Sequence, residues 1–103
     1  MKPADAYIEA HIHSFVQRVE DASKEDPSPH AFPNAVAQME FLSREEWVHL
    51  KSSLDTDEDA TVIAYIEKHP SYKEMVATKF GRFIPVIRLN DRMGQFCVID
   101  PVL

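Results

Sequence analysis

Glu46 and His49 have the Glu-x-x-His spacing by which carboxylate di-metal helical bundles hold their ions, and Glu45 also shares a helix face with His49. Such a centre draws on a second copy of the motif and on further glutamates from long facing helices, and this chain supplies a single copy on a short helix. Glu9 and His13 share a face as well, but His11 and His13, two positions apart, diverge on a helix. The ligand set is incomplete, so no metal and no other cofactor is expected. Cys97, the only cysteine, lies in the apolar run Phe96-Cys-Val-Ile99, an environment that raises a thiol's pKa and leaves it inert. There is no Gly-x-Ser-x-Gly elbow, and with 2 glycines there is no glycine-rich phosphate loop. No catalytic residue is assigned, and the chain reads as non-enzymatic.

The remaining chemistry is that of surfaces. Glu45, Glu46, Asp55, Asp57, Glu58 and Asp59 could form a negative patch that docks on a basic partner and speeds its capture by electrostatic steering. Local structure offers the same carboxylates another use. Thr56 or Asp57 is expected to cap a helix, and acids in a first turn favour the positive end of the helix dipole.

A second surface is expected at the C-terminus. Arg82–Leu89 and Gln95–Asp100 are rich in Val, Ile and Phe and flank Asn90-Asp-Arg-Met-Gly94, the pattern of a β-hairpin. Asp91 and Gly94 fit the first and fourth positions of a type I turn closed by a residue of positive φ. Phe83, Ile87 and Leu89 fall on one face of the first strand, with Ile84 and Val86 on the other. Cys97 and Ile99 likewise alternate with Phe96 and Val98 on the second. A ribbon apolar on both sides needs cover on both, from its own helices or from another chain. Pro85 lacks the N–H of a central ladder and points to an edge strand or a bulge, and an edge is where another chain can add a strand. The candidate interface is Ile84, Val86, Arg88, Arg92, Phe96 and Val98.

The elements that must position these residues are mostly helical. Ile8, Ile12, Phe15, Val19 and Ala22 recur at helical spacing from Pro3 onward and predict a long first helix. Residues 23–33 hold three prolines and read as a loop. Asn34 is expected to cap a short helix through Leu42 that buries Val36, Met39 and Leu42. Ser43-Arg-Glu-Glu46 matches a capping box and opens a helix to Leu54 with Trp47, Leu50, Lys51 and Leu54 inward. A further helix carries Ala60, Ile63, Ala64 and Ile66 to His69, where Pro70 stops it. Ser71-Tyr-Lys-Glu74 reads as a second capping box, opening a helix to Phe80 with Gly81 at its C-terminal cap.

The 103 residues are therefore expected to form one α+β domain over 1–103, mostly helical, with a long N-terminal helix, three to four short helices and a C-terminal β-hairpin, taken as the only sheet element. With one cysteine, no long apolar segment and no secretory leader pattern, the expected setting is cytoplasmic, with no membrane contact.

Net charge is −6, yet residues 1–67 hold 5 Lys and Arg against 14 Asp and Glu, while residues 68–103 hold 6 against 3. An acidic whole disfavours nucleic acid. A winged-helix DNA binder using the 71–80 helix and the 82–99 hairpin, with Lys68, Lys73, Lys79, Arg82, Arg88 and Arg92 toward phosphate, is the alternative. It ranks second because the 71–80 segment lacks the Arg, Asn and Gln that read base edges. The first expectation is a small acidic regulator or inhibitor that binds another protein and competes for that protein's basic, nucleic-acid-binding surface. A homodimer through the hairpin edge is the form in which the partner is a second copy.

Overall fold

The computed structural model describes residues 3–25, 28, 31–37, 39–81, 83–92 and 94–102. Arg82, Met93 and most of the proline-rich loop, including Pro27, Pro29 and His30, lie outside them. The elements in order are helices α1 (Pro3–Ser23) and α2 (Ala31–Ala37), strand β1 (Glu40–Leu42), helices α3 (Arg44–Ser53), α4 (Asp59–Lys68) and α5 (Pro70–Met75), a π-helical turn (Val76–Phe80), and strands β2 (Ile84–Leu89) and β3 (Cys97–Val102). The fold is α+β, with a long N-terminal helix and a small antiparallel sheet.

The α1 stripe is the spine of the core. Ala4, Ile8, Ile12, Phe15 and Val19 are all buried, and α1 packs on α2, α3, α5 and β1. Ala22 is exposed, so the buried stripe ends one step earlier than its spacing implied. Burying each large aliphatic side chain contributes roughly 1.5–3 kcal/mol, and the Phe15 and Phe41 rings add an edge-to-face contact at 5.0 Å.

The hairpin is not the only sheet element, because β1 pairs antiparallel with β3 and the strand order is β1-β3-β2. The predicted helix through Leu42 is corrected accordingly. The α2 helix starts at Ala31, leaves Asn34 inside it rather than at its cap, and ends at Ala37. The physical reason lies in what the segment meets: Glu40–Leu42 pair with β3, which buries Phe41 and Leu42 beside the central strand, and Ser43 follows in extended backbone (φ −70, ψ 168) as the cap of α3.

The capping box at Ser43 forms as its sequence implied. The Glu46 N–H donates to Ser43 Oγ at 3.1 Å, and the Ser43 N–H donates to Glu46 Oε1 at 2.9 Å. Trp47 and Leu50 are buried on the inner side of α3. At its far end the Thr56 N–H reaches Lys51 O and the Asp55 N–H reaches Ser52 O, a Schellman closure with Asp55 left-handed at φ +51. That closure uses residues 55 and 56 to end α3, so the cap of α4 is Glu58, not Thr56 or Asp57. The inward residues of α4 are Val62 and Ile66; Ala60 is exposed, and Ile63 and Ala64 are half-buried.

Pro70 both stops α4 and starts α5. The residue before proline is driven to extended backbone, and His69 (φ −68, ψ 134) ends one helix and caps the next, its Nδ1 accepting the Ser71 N–H at 3.1 Å. His69 therefore takes the role expected of Ser71. Gly81 (φ +59) closes the π-helical turn, and the Gly94 N–H bonds Asp91 O at 3.3 Å with Gly94 at φ +77, the expected hairpin turn.

Candidate functional site

The acidic residues divide into two sets. Asp59 is used internally, its Oδ1 accepting the Trp47 indole N–H at 3.0 Å and pairing with Lys51 Nζ at 2.8 Å. The Lys51 and Trp47 hydrogen bonds hold its carboxyl below the usual range. Glu46 is also engaged. Burial pushes its carboxyl up, but the Ser43 hydrogen bonds and the charges of His11 and Arg18 outweigh that and leave it lowered. Its Oε2 lies 2.9 Å from His11 Nδ1, tying α3 to α1. Glu45, Asp55, Asp57 and Glu58 remain exposed. Asp55 and Asp57 border an open depression of about 480 Å³ with Val48, which is 58% exposed, and Lys51. The capping box and the Trp47–Asp59 bond thus take two carboxylates out of the expected patch.

The hairpin residues divide as well. Phe96 precedes β3 and turns inward, its ring 6.1 Å from Trp47 and 4.4 Å from the Arg44 guanidinium. Arg44 also pairs with Asp91 at 2.9 Å, so the hairpin turn is tied to α3. Val98, opposite Arg88 on β2 and Glu40 on β1, is 3% exposed. Phe96 and Val98 therefore leave the candidate interface.

Ile84 (71% exposed), Val86 (42%), Arg88 and Arg92 stay in it, and Leu89 (37%) joins them. On the face of β2 that carries Ile84 and Val86, Arg88 pairs with Asp100 at 2.8 Å. Beside Ile84 and Pro85, an apolar recess of about 320 Å³ is lined by Glu67, Tyr72, Lys73, Val76 and Ala77.

Strand order places β2 at the sheet margin, as Pro85 implied. The Asn90 N–H bonds Phe96 O, so by antiparallel alternation residues 84, 86 and 88 direct their backbone groups to β3. Pro85, Ile87 and Leu89 direct theirs away. Pro85 sits opposite Pro101, at a position where neither needs an N–H for the β2–β3 ladder.

Sequence reasoning missed one titratable group of neighbours. Tyr7 lies between His11 (ring centroids 4.4 Å) and His49 (4.5 Å), above the His11–Glu46 pair. Burial first, and then the Glu46 charge, push the Tyr7 hydroxyl up. The partners come from separate helices, so no local motif announces them; the Glu-x-x-His spacing marked the place but not the arrangement. Among the described residues no cluster of His, Cys, Asp and Glu could hold a metal ion. Cys97 is buried, and burial followed by the Glu40 charge pushes its thiol up to about 12. Among the described residues no helix is long and apolar enough to cross a membrane. No protein-family model, curated protein or solved structure matches the chain.

Proposed function

We propose that this chain is a non-enzymatic protein-binding regulator that receives an extended segment of another polypeptide along the outer margin of β2. The observation that carries the reading is the coincidence of an edge strand with outward backbone donors at Ile87 and Leu89 and exposed apolar side chains at Ile84, Val86 and Leu89. Strand addition uses these two ingredients, main-chain hydrogen bonds for affinity and alternate side chains for specificity. Exposed apolar edges are a liability that proteins otherwise shield with charge or cover. The exposed Glu45, Asp55, Asp57 and Glu58 give the chain an inhibitory form of this role, steering it toward a protein with a basic, nucleic-acid-binding surface and shielding that surface from phosphate.

Direct binding of duplex DNA is the second reading. It is favoured by the exposed Arg92 at the hairpin turn and by the exposed Lys68 and Lys73. It is weakened because Lys79 pairs with Glu20 and Arg88 with Asp100, and because the 71–80 segment buries Tyr72, Met75 and Phe80 across a short helix and a π-turn.

The test is retrieval from a lysate of the source cells on immobilised chain and on a Val86→Lys variant, followed by reconstitution with the purified partner. A protein held by the parent chain and lost from the variant supports the reading. Equal retention on both, or a duplex shifted at low salt with no protein retained, overturns it.

A further inference from the structure

We propose that the margin of β2 pairs with the β2 of a second copy of this chain, antiparallel and centred on Ile87, so that the two sheets join into one. The inference rests on the docking reading above and names its partner.

Around a two-fold axis, only residues whose backbone groups point outward can exchange hydrogen bonds, and these are Pro85, Ile87 and Leu89. The centre of the pairing decides how well they meet. Centred on Val86, each Pro85 faces the partner's Ile87, and the missing proline N–H opens a gap on both sides of the axis. Centred on Arg88, the guanidinium stands opposite the partner's Arg88, and like charges directly opposite are destabilising. Centred on Ile87, that residue and the partner's Ile87 exchange N–H and C=O bonds, and each Leu89 N–H meets the partner's Pro85 carbonyl. The donor that proline lacks then falls at the ends of the ladder.

The side chains agree with that centre. On the face that carries Ile84 and Val86, the row across the junction reads Asp100, Val86, the partner's Arg88 and the partner's Val98, which is buried. Each Val86 is set between opposite charges, while Arg88 keeps its own Asp100. On the other face, the half-exposed Leu89 lies against the partner's Pro85. Beyond Leu89, the turn carrying Arg92 runs toward the end of the partner's β2, where Ile84 and Pro85 border the apolar recess that the partner's Glu67 and Lys73 both line.

Sedimentation over a concentration series tests the pairing, using the parent chain, Val86→Lys and Val86→Glu, with thermal melts to show that each is folded. The parent chain is expected to pass reversibly from 11.8 kDa to twice that mass. Lys at 86 meets the partner's Arg88 and raises the dissociation constant by about tenfold, a loss of about 1.4 kcal/mol, whereas Glu leaves it unchanged or lowers it. A parent chain that stays monomeric at every concentration overturns self-pairing while leaving capture of a different protein by the same edge to stand or fall on the retrieval experiment. A dimer indifferent to both variants, or weakened equally by both, overturns the Ile87-centred junction.

Discussion

The Arg88 guanidinium and the Asp100 carboxylate lie 2.8 Å apart, on the face of the hairpin where Ile84 and Val86 stand exposed. In the register Arg88 is opposite Val98 and Asp100 opposite Val86, so the pair crosses the two strands diagonally. Both groups keep solvent contact, with side chains 57% and 34% exposed, and such pairs are worth little alone. Arg88→Ala is expected to cost less than about 1 kcal/mol in urea unfolding. A larger loss would mean that Arg88 has a packing role beyond the ion pair.

Trp47 joins two helices through one polar atom. Trp47→Phe keeps most of the buried ring but removes the indole donor to Asp59, and hydrogen bonds to charged groups contribute about 1.5–3 kcal/mol. Unfolding midpoints should show a loss of that order. In a Lys51→Met background the same substitution should cost a different amount, because Asp59 serves both partners.

Asp55 gives a prediction of opposite sign. It holds φ +51 at the end of α3, a conformation that glycine adopts without cost. Asp55→Gly should stabilise the chain by about 0.5–1 kcal/mol, as left-handed backbone costs a Cβ-bearing residue about 1–2 kcal/mol, and Asp55→Ala should destabilise it, because alanine keeps that cost and lacks the short polar side chain that lets Asp visit this region. Thermal melts of the two variants decide the matter.

Stability should fall in acid. Glu46 and Asp59 have folded pKa values below their ordinary 4.5 and 3.8. The unfolded chain thus takes up protons before the folded one does, and their contribution is fully present above pH 4.5, fading as pH falls through the folded values. Urea midpoints followed from pH 7 downward should decline most steeply in that acid window. The decline should be shallower in Glu46→Gln and Asp59→Asn.

Cys97 should be silent toward thiol reagents. Its thiol is buried and pushed up to about 12, so almost no thiolate exists at neutral pH. Iodoacetamide should label it only after denaturation, which mass spectrometry can follow. Rapid labelling of the native chain would show that β3 opens readily.

Elements with a complete local signal were legible in the sequence. The Ile8–Ile12–Phe15–Val19 stripe, the Ser43–Glu46 box and the Asp91–Gly94 turn each hold their own donors, acceptors or periodicity within a few residues. β1 was not legible, because three residues carry no period of their own and become a strand only by meeting β3. The same reason hid the uses of Glu46 and Asp59. Glu46 read as a capping-box acid and both as part of the acidic patch, whereas the pairing of Glu46 with His11 on α1 and the bond to Asp59 from the Trp47 indole on α3 cross between elements and leave no local signature. At the candidate surface, Pro85 marked the edge correctly. Which apolar residues stayed bare depended on Trp47 and Arg44 covering Phe96, and on Val98 lying on the central strand between β2 and β1.

Amide exchange at Ile87 and Leu89 tests the open edge most directly. In the dilute free chain both N–H groups should exchange rapidly while those of 98 and 100, bonded to β2, stay slow, and both should slow sharply when a partner strand is bound. Slow exchange of Ile87 and Leu89 at the lowest measurable concentration, with nothing bound, would contradict it.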